Sequence, residues 1–343
     1  MRWRATLLVA VCLLFGKAAW AGPVFDKVRA RGQLNCGVNL ALAGFSIADS
    51  KGHWTGLDVE YCRALAATLF DDPERVKYVP LNAQQRFTAL QSGEVDVLAR
   101  NTTWTLTRDA GLGITFVGIN FFDGQGFIVR KADQVQSVRD LDGAAICVQT
   151  GTTTELNLAD AFRKRGITFK QVAYEGFEES VNAFFSGRCD AYTTDASGLA
   201  VIRAKNAPNP DDYLILSEFV SKEPMGPAVQ QGDPEWFDVA RWTLFALINA
   251  EEFGLTRQNV DQIKATTTDP EVQRFLGVTP GLGKALALTD DWAYRIVRHV
   301  GNYGEVYERT LGMQSAMKLS RTFNRKANML WTQGGLMYAP PVR

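Results

Sequence analysis

Ala89-Leu-Gln-Ser92-Gly93-Glu-Val-Asp96 recurs 94 residues later as Ala183-Phe-Phe-Ser186-Gly187-Arg-Cys-Asp190. Each copy reads as a helix that ends on glycine, the residue that most readily takes left-handed backbone at a helix C-terminus, and then turns into a strand. Gly-x-x-Asp after a helix is a common turn, so the match matters for its position: it marks equivalent elements in two similar halves. Around the first copy, Leu34-Asn-Cys-Gly-Val38 reads as a strand and 57–70 as a helix with apolar residues at helical spacing. Val76-Lys-Tyr-Val-Pro-Leu81 then reads as a strand, 84–91 as a helix and Val95-Asp-Val-Leu-Ala99 as a strand. Around the second, Ala144-Ala-Ile-Cys-Val148 and 168–173 read as strands flanking a helix over 152–165. Such alternation predicts an α/β fold, with parallel sheets and helices on both faces.

In open α/β sheets, ligands sit beyond the carboxyl ends of the strands. The residues after the two marked strands therefore face a shared cleft. Arg100, Asn101, Thr102, Thr103, Trp104, Thr105 and Arg108 follow the first, and Thr193, Thr194 and Asp195 the second. One side offers a cation and hydroxyls and the other a carboxylate, which together complement a zwitterion.

The 343 residues suffice for two domains, and 46% apolar with 22% charged residues is a globular composition. Basic and acidic residues both number 37, so the basic surplus of a nucleic-acid-binding protein is missing and no such partner is expected. His53 and His299, the only two histidines, lie far apart, which argues against Ser-His-Asp hydrolases and His-based metal sites. No metal or cofactor is expected. Arg2 and Arg4 precede the apolar run 5–15, and Ala19-Trp20-Ala21 supplies small residues, the pattern of a secretory signal peptide cleaved after Ala21. The run has 11 residues, too few for the roughly 20 of a spanning helix. Apolar Leu13-Leu14-Phe15 after Cys12 continues the signal core and speaks against a lipoprotein. Removing 1–21 leaves 34 basic and 37 acidic residues, net −3, and four cysteines: Cys36, Cys62, Cys147 and Cys189. In an exported protein these permit disulfides in three connectivities. The apolar segment 239–250 carries Arg241 and Asn249, as an amphipathic helix on a core does.

At these residues the chain resembles bacterial solute-binding proteins of the polar amino-acid class, which feed ABC importers. The likeness runs from about Gly32 to Gly254. Gly56-Leu-Asp58-Val-Glu resembles the class's Gly-Phe-Asp-x-(Asp/Glu) helix entry, the first repeat its Ala-Leu-x-x-Gly-x-x-Asp, and Thr105-Leu-Thr-Arg108 its Thr-x-x-Arg. Gln149-Thr-Gly151-Thr152-Thr153 resembles its Gln-x-Gly-(Ser/Thr)-(Ser/Thr) loop, and Gly226-Pro-Ala-Val229 with Gly232-Asp-Pro-Glu235 its re-entry into the first lobe. The length, Asn101-Thr-Thr-Trp104 and Gly301-Asn-Tyr-Gly-Glu305 are closest to the general L-amino-acid-binding members.

The resemblance implies a two-lobed periplasmic binding protein fold of type II with two hinge crossovers. Lobe one would take 22–122 plus 222–343, with a helical C-terminal extension from about 256, and lobe two 123–221. The hinge would lie near 122–126 and 218–224, with Gly124 and Gly126 absorbing its movement. This division pairs Cys36 with Cys62 and Cys147 with Cys189, four buried free thiols being the alternative. The implied protein is a periplasmic monomer, without cofactor or catalysis. It would capture free L-amino acids by closing its cleft and deliver them to a membrane permease.

Arg108 is expected to hold the ligand's α-carboxylate, because a guanidinium matches it bidentately; its bland alternative is a surface pair with Asp109. Thr152 and Thr153 follow Gly151 at a helix start, where free N–H groups and the helix dipole favour an anion. Thr152-x-x-Glu155 also has the spacing of a capping box. Asp195 is expected to accept the α-ammonium, its alternative being a helix N-cap. Asn101 and Thr103 add acceptors, and Phe45 matches an aromatic position near the cleft that serves either as ligand platform or as core. Basic-amino-acid binders of the class carry an acid just after the first strand and an aromatic ring three residues on. Here Asn39 and Leu42 stand there, so the pattern suits broad specificity. The competing reading is a cyclohexadienyl dehydratase-like lyase on the same scaffold. It would need a cleft acid or base of tuned pKa, for which Asp195 is the one candidate. A carrier that docks a chemoreceptor is a third.

Overall fold

The computed structural model describes residues 22–343; the signal-peptide segment and Cys12 lie outside the described residues. The first strands are β1 (Leu34–Asn39), β2 (Ile47–Ala48), β3 (Trp54–Thr55), β4 (Val76–Leu81), β5 (Val97–Leu98), β6 (Ile114–Phe116) and β7 (Phe121–Asp123). They are followed by β8 (Gln125–Arg130), β9 (Ala144–Gln149), β10 (Phe169–Tyr174), β11 (Ala191–Asp195), β12 (Tyr213–Ile215), β13 (Glu223–Met225) and β14 (Ala228–Gln230). Two five-stranded sheets result, in the orders β4-β1-β5-β14-β6 and β10-β9-β11-β8-β12.

Each sheet has a parallel heart, β1 with β4 and β5, and β9 with β10 and β11. The sheets are mixed, whereas the alternation alone predicts wholly parallel ones. β14 runs antiparallel to β5 and β6, and β8 antiparallel to β11 and β12. The reason is connectivity. β8 and β14 do not enter by a strand–helix–strand crossover within their own lobe, which would make them parallel. They arrive from the other sheet through β7 and β13, which pair antiparallel with each other between the lobes.

The repeated octapeptide does the same structural work twice. Helices Gln85–Gln91 and Phe177–Phe185 end ahead of Gly93 at φ +72° and Gly187 at φ +80°, and β5 and β11 follow. Asp96 accepts the N–H of Asn35, the second residue of β1, at 2.8 Å; Asp190 accepts that of Ala145, the second residue of β9, at 2.7 Å. Disulfides join Cys36 of β1 to Cys62, and Cys147 of β9 to Cys189.

Helix Leu57–Phe70 begins at Gly56, whose φ is +131°; a Cβ there would stand 2.1 Å from the Phe45 carbonyl oxygen. Only glycine admits that approach. The C-terminal helices Trp292–His299 and Tyr303–Thr310 pack on Leu57–Phe70 and on Pro234–Glu252. A single buried cluster joins Phe25, Trp236, Trp292, Tyr307, Leu330 and Val342, so the last third of the chain is part of the first sheet's core. Among the described residues no helix is long and apolar enough to cross a membrane.

Candidate ligand-binding site

The floor of the cleft is the pair β7/β13, whose register sets Asp123 directly opposite Glu223. Both side chains are buried. Asp123 accepts the N–H groups of Gly124 (2.8 Å) and Ser197 (3.1 Å), yet burial, with the charge of Glu223 adding to it, pushes its pKa up to about 7. Glu223 accepts hydrogen bonds from the hydroxyls of Thr103 (2.6 Å) and Thr153 (2.8 Å), from the Asn157 amide (2.7 Å) and from Ser221. Thr103 follows the first sheet and Thr153 opens the helix after β9, so one carboxylate is tied to both lobes.

Above this floor lies a cavity of about 30 Å³ walled by both lobes, with Arg86, Arg100, Asn101, Thr103, Thr152, Thr153 and Asp195 in its lining. Arg86, on helix Gln85–Gln91, donates to the Gly151 carbonyl at 3.4 Å across the lobes. Its Nε is buried without a partner in the protein. Arg100 donates to the Leu81 carbonyl at 2.9 Å, and Arg108 to the Thr103 carbonyl at 2.8 Å. Burial, together with the charges of Arg100 and Arg108, drives the Arg86 pKa well below its usual value. Burial also brings Arg100 down to about 10 against the pull of Asp58, and lowers Arg108 against that of Glu223 and Asp195. Arg86 and Arg100 in the lining, with Arg108 behind it, make this side of the cavity strongly anion-attracting.

Asp195 ends β11 and stands at the N-cap of helix Ala196–Lys205, but its side chain makes no capping bond. Its Oδ1 is buried with no partner in the protein. Burial, then the charges of Glu223 and Asp123, raise its pKa well above the ordinary carboxylate value, opposed by Arg86 and Arg108. A buried acceptor and a buried donor left unpaired are each costly, and here both line one cavity.

Of the residues singled out from the sequence, Asn101, Thr103, Thr152, Thr153 and Asp195 line this cavity. Arg108 stands behind Thr103, outside the lining, with its guanidinium 5.2 Å from the Phe87 ring. It is buried and forms no ion pair with Asp109, whose carboxylate instead accepts the Phe116 N–H at 3.1 Å. Phe45 lies in the core, its ring 5.3 Å from Phe121, and does not line the cavity. Thr152 caps its helix by accepting the Glu155 N–H, while the Glu155 carboxylate reaches Gly151 rather than Thr152, so the expected box closes one residue early. Asn101 donates its N–H to Asp58 and accepts from Asn39 at 2.9 Å. Burial raises Asp58 to about 6. Arg86 and Glu223 were not singled out. Arg86 has one sequence signal, a charge beside Phe87, Ala89 and Leu90 on a short helix; Glu223, between Lys222 and Pro224 in a crossover strand, has none.

Residues 34–265 match the model of the bacterial extracellular solute-binding proteins, family 3. The chain is 51% identical over 336 residues to the general L-amino acid-binding periplasmic protein AapJ of Rhizobium johnstonii, covering 97% of each chain. It is 50% identical over 335 residues to the glutamate/glutamine/aspartate/asparagine-binding protein BztA of Rhodobacter capsulatus, covering 98% of this chain and 97% of that one. Its fold is similar to that of an ABC transporter/periplasmic binding protein from Brucella ovis with glutathione bound, at TM-score 0.90 and 51% identity over 94% of this chain and 100% of that one. Two sheets joined by two strands, a polar cleft between them and these likenesses along nearly the whole length lead to one conclusion: the chain belongs to the bacterial extracellular solute-binding proteins, family 3.

Proposed function

We propose that the protein captures free L-amino acids in the periplasm by closing its cleft on them, and delivers them to the membrane permease of an ABC importer. One observation carries this reading: Asp195 Oδ1 and Arg86 Nε, an acceptor and a donor, are buried on one cavity without partners in the protein. The α-ammonium of an amino acid supplies the complement of the first, and an oxygen on its side chain that of the second. The α-ammonium binds Asp195. The α-carboxylate is assigned to Arg108 and the first-turn N–H of Thr153, with Thr152, Asn101 and Thr103 completing the polar cage. Arg86 then faces the ligand's side chain. It favours chains that end in oxygen, and no acid beside Asn39 serves a cationic one. The names of the Rhizobium and Rhodobacter relatives support the same ligand class.

Lobe one is taken as 22–122 plus 222–343 and lobe two as 123–221, with a signal peptide cleaved after Ala21 and a monomer as the working form. Binding without turnover is the expected behaviour, because the ammonium occupies Asp195, the one carboxylate in the cavity lining. Calorimetric titration of refolded, ligand-free protein with the common amino acids tests this. Several should bind, those with a side-chain carboxylate or amide most tightly, and each should be recovered unchanged. No binding to any of them at about 100 μM would overturn the reading, and consumption of a ligand would replace it with an enzyme.

A further inference from the structure

Glu223 takes four hydrogen bonds on two oxygens. Its Oε2 accepts from the hydroxyls of Thr103 at 2.6 Å and Thr153 at 2.8 Å, and its Oε1 from the Asn157 amide at 2.7 Å and the Ser221 hydroxyl. Ser221 Oγ in turn accepts the Gln125 N–H at 3.3 Å, which leaves its one hydrogen for Glu223. Four donors fill the lone-pair positions of a carboxylate, and at 1% exposure water does not compete for them. The same count fixes two protons elsewhere. Each threonine hydroxyl has one hydrogen, and the two oxygens lie 3.3 Å apart, farther from each other than either is from Glu223. The charged, nearer acceptor prevails, so both hydrogens point at Glu223. Toward anything else, each oxygen has only lone pairs to offer. Both threonines line the cavity, together with Asp195.

We propose that Glu223 is a positioning residue for recognition of the ligand's α-amino group: by holding the hydroxyl hydrogens of Thr103 and Thr153, it turns both oxygens into obligate acceptors. The inference rests on the amino-acid reading above. Glu223 itself stays outside the cavity lining and acts through the two threonines. An ammonium carries three N–H donors and no lone pair, so it suits a pocket of acceptors. A hydroxyl in its place has one hydrogen to give, and its own lone pairs meet acceptors in a buried site. Sites that hydrogen-bond a substrate group reject an analogue that cannot reproduce the bonds far more strongly than apolar pockets reject a missing methylene. Glu223 thereby selects amino acids over the corresponding hydroxy acids. Thr103 follows the first sheet and Thr153 opens helix Thr153–Arg165 after β9, so the selection is complete only with the two sides together.

The test is titration of the whole ligand-free protein with L-glutamate and with L-2-hydroxyglutarate, which differ only in the α-group. The wild type should bind glutamate and prefer it strongly. In Glu223→Gln, Asn157 and Ser221 still donate to the remaining oxygen, so the new amide NH2 faces the threonines and releases their hydrogens to the cavity. The preference for glutamate should fall roughly tenfold. Adding Asn157→Asp draws the NH2 away to the new carboxylate and returns the oxygen to the threonines, so the double variant should recover the preference to within about threefold. Thr103→Val, which deletes one oriented oxygen and leaves Glu223 in place, should also cost glutamate more than the hydroxy acid, and it carries the test if Glu223→Gln does not fold. Equal losses for both compounds, an unchanged preference, or a lowered one that the double variant does not recover would overturn the positioning role and leave the amino-acid reading standing. Failure of the wild type to bind glutamate would remove that reading and the positioning role with it.

Discussion

At the scale of single residues, Asp195 and Arg86 divide the site's legibility. Asp195 was readable because it closes the second of two repeated helix–strand units, where open sheets present ligand groups. Its side chain leaves the N-cap bond unmade, so the bland role that sequence alone allowed is not taken. Arg86 was unreadable: an arginine on a seven-residue helix ordinarily faces solvent, and only tertiary packing turns this one inward, to 3% exposure. The two arginines assigned to the ligand should therefore separate in experiment. Arg108→Met removes the proposed carboxylate partner of all amino acids and is expected to abolish binding of alanine, glutamine and glutamate alike. Arg86→Met is expected to spare alanine to within a few-fold and to weaken glutamate by roughly ten- to a hundredfold, a charge-assisted hydrogen bond being worth about 1.5–3 kcal/mol. Calorimetry with the three amino acids on both variants, each first shown to melt cooperatively, reads the difference. Equal losses across the series for Arg86→Met would place it on the α-carboxylate instead.

Among elements, the helices and inner strands of both halves were legible from periodicity, and the helix over 57–70 matches to the residue. The directions of β8 and β14 were not, because nothing local in a strand records which sheet the chain has just left. The C-terminal segment was least legible of all, a polar stretch without strong period. Its attachment depends on particular side chains finding backbone on the hinge. Asn328 is fully buried; its Oδ1 accepts the Phe122 N–H at 2.7 Å and its Nδ2 donates to the Phe122 carbonyl at 3.0 Å. Asn324 donates to the same carbonyl at 3.2 Å. Opposite Phe122 in the β7/β13 pair stands Pro224, which has no N–H to donate. The asparagine thus works as a one-residue strand on the outer edge of the hinge. Asn328→Ala strips the Phe122 N–H of its partner and the carbonyl of one of two. It should lower the unfolding free energy by about 2 kcal/mol in urea denaturation, and a loss under about 0.5 kcal/mol would show that water replaces the clamp.

For the whole molecule, buried acids at the junction of the lobes couple stability and binding to pH. Asp123 rises to about 7 and Asp58 to about 6 from the ordinary 3.8, both chiefly through burial. A carboxyl whose folded pKa lies above its unfolded one binds its proton more tightly in the native state. The stabilisation is complete below about pH 4 and is lost as pH rises through the folded values, so ligand-free protein should melt at falling temperature from pH 5 to pH 8. A tenfold tighter hold on a proton is worth about 1.4 kcal/mol, so the loss across this range amounts to a few kcal/mol. Below pH 4 the trend reverses, because Asp49, Asp140 and Asp142, held low mainly by backbone N–H bonds, then become protonated. Binding runs the other way from stability. In the proposed pose the ligand's ammonium requires Asp195 ionised; burial, then the charges of Glu223 and Asp123, raise its pKa in the free protein, so capture is expected to release protons and affinity to weaken as pH falls. The free protein is therefore expected to be most stable where it binds most weakly. Melting curves and titrations over that range, the latter in two buffers of different ionisation enthalpy, measure both slopes. Asp123→Asn should flatten the stability slope and, because the Asp123 charge helps raise Asp195, reduce proton release on binding without removing it. Affinity that does not change with pH, with no proton release in either buffer, would mean that Asp195 is already ionised in the empty cleft and that the ammonium assignment gains nothing from burial.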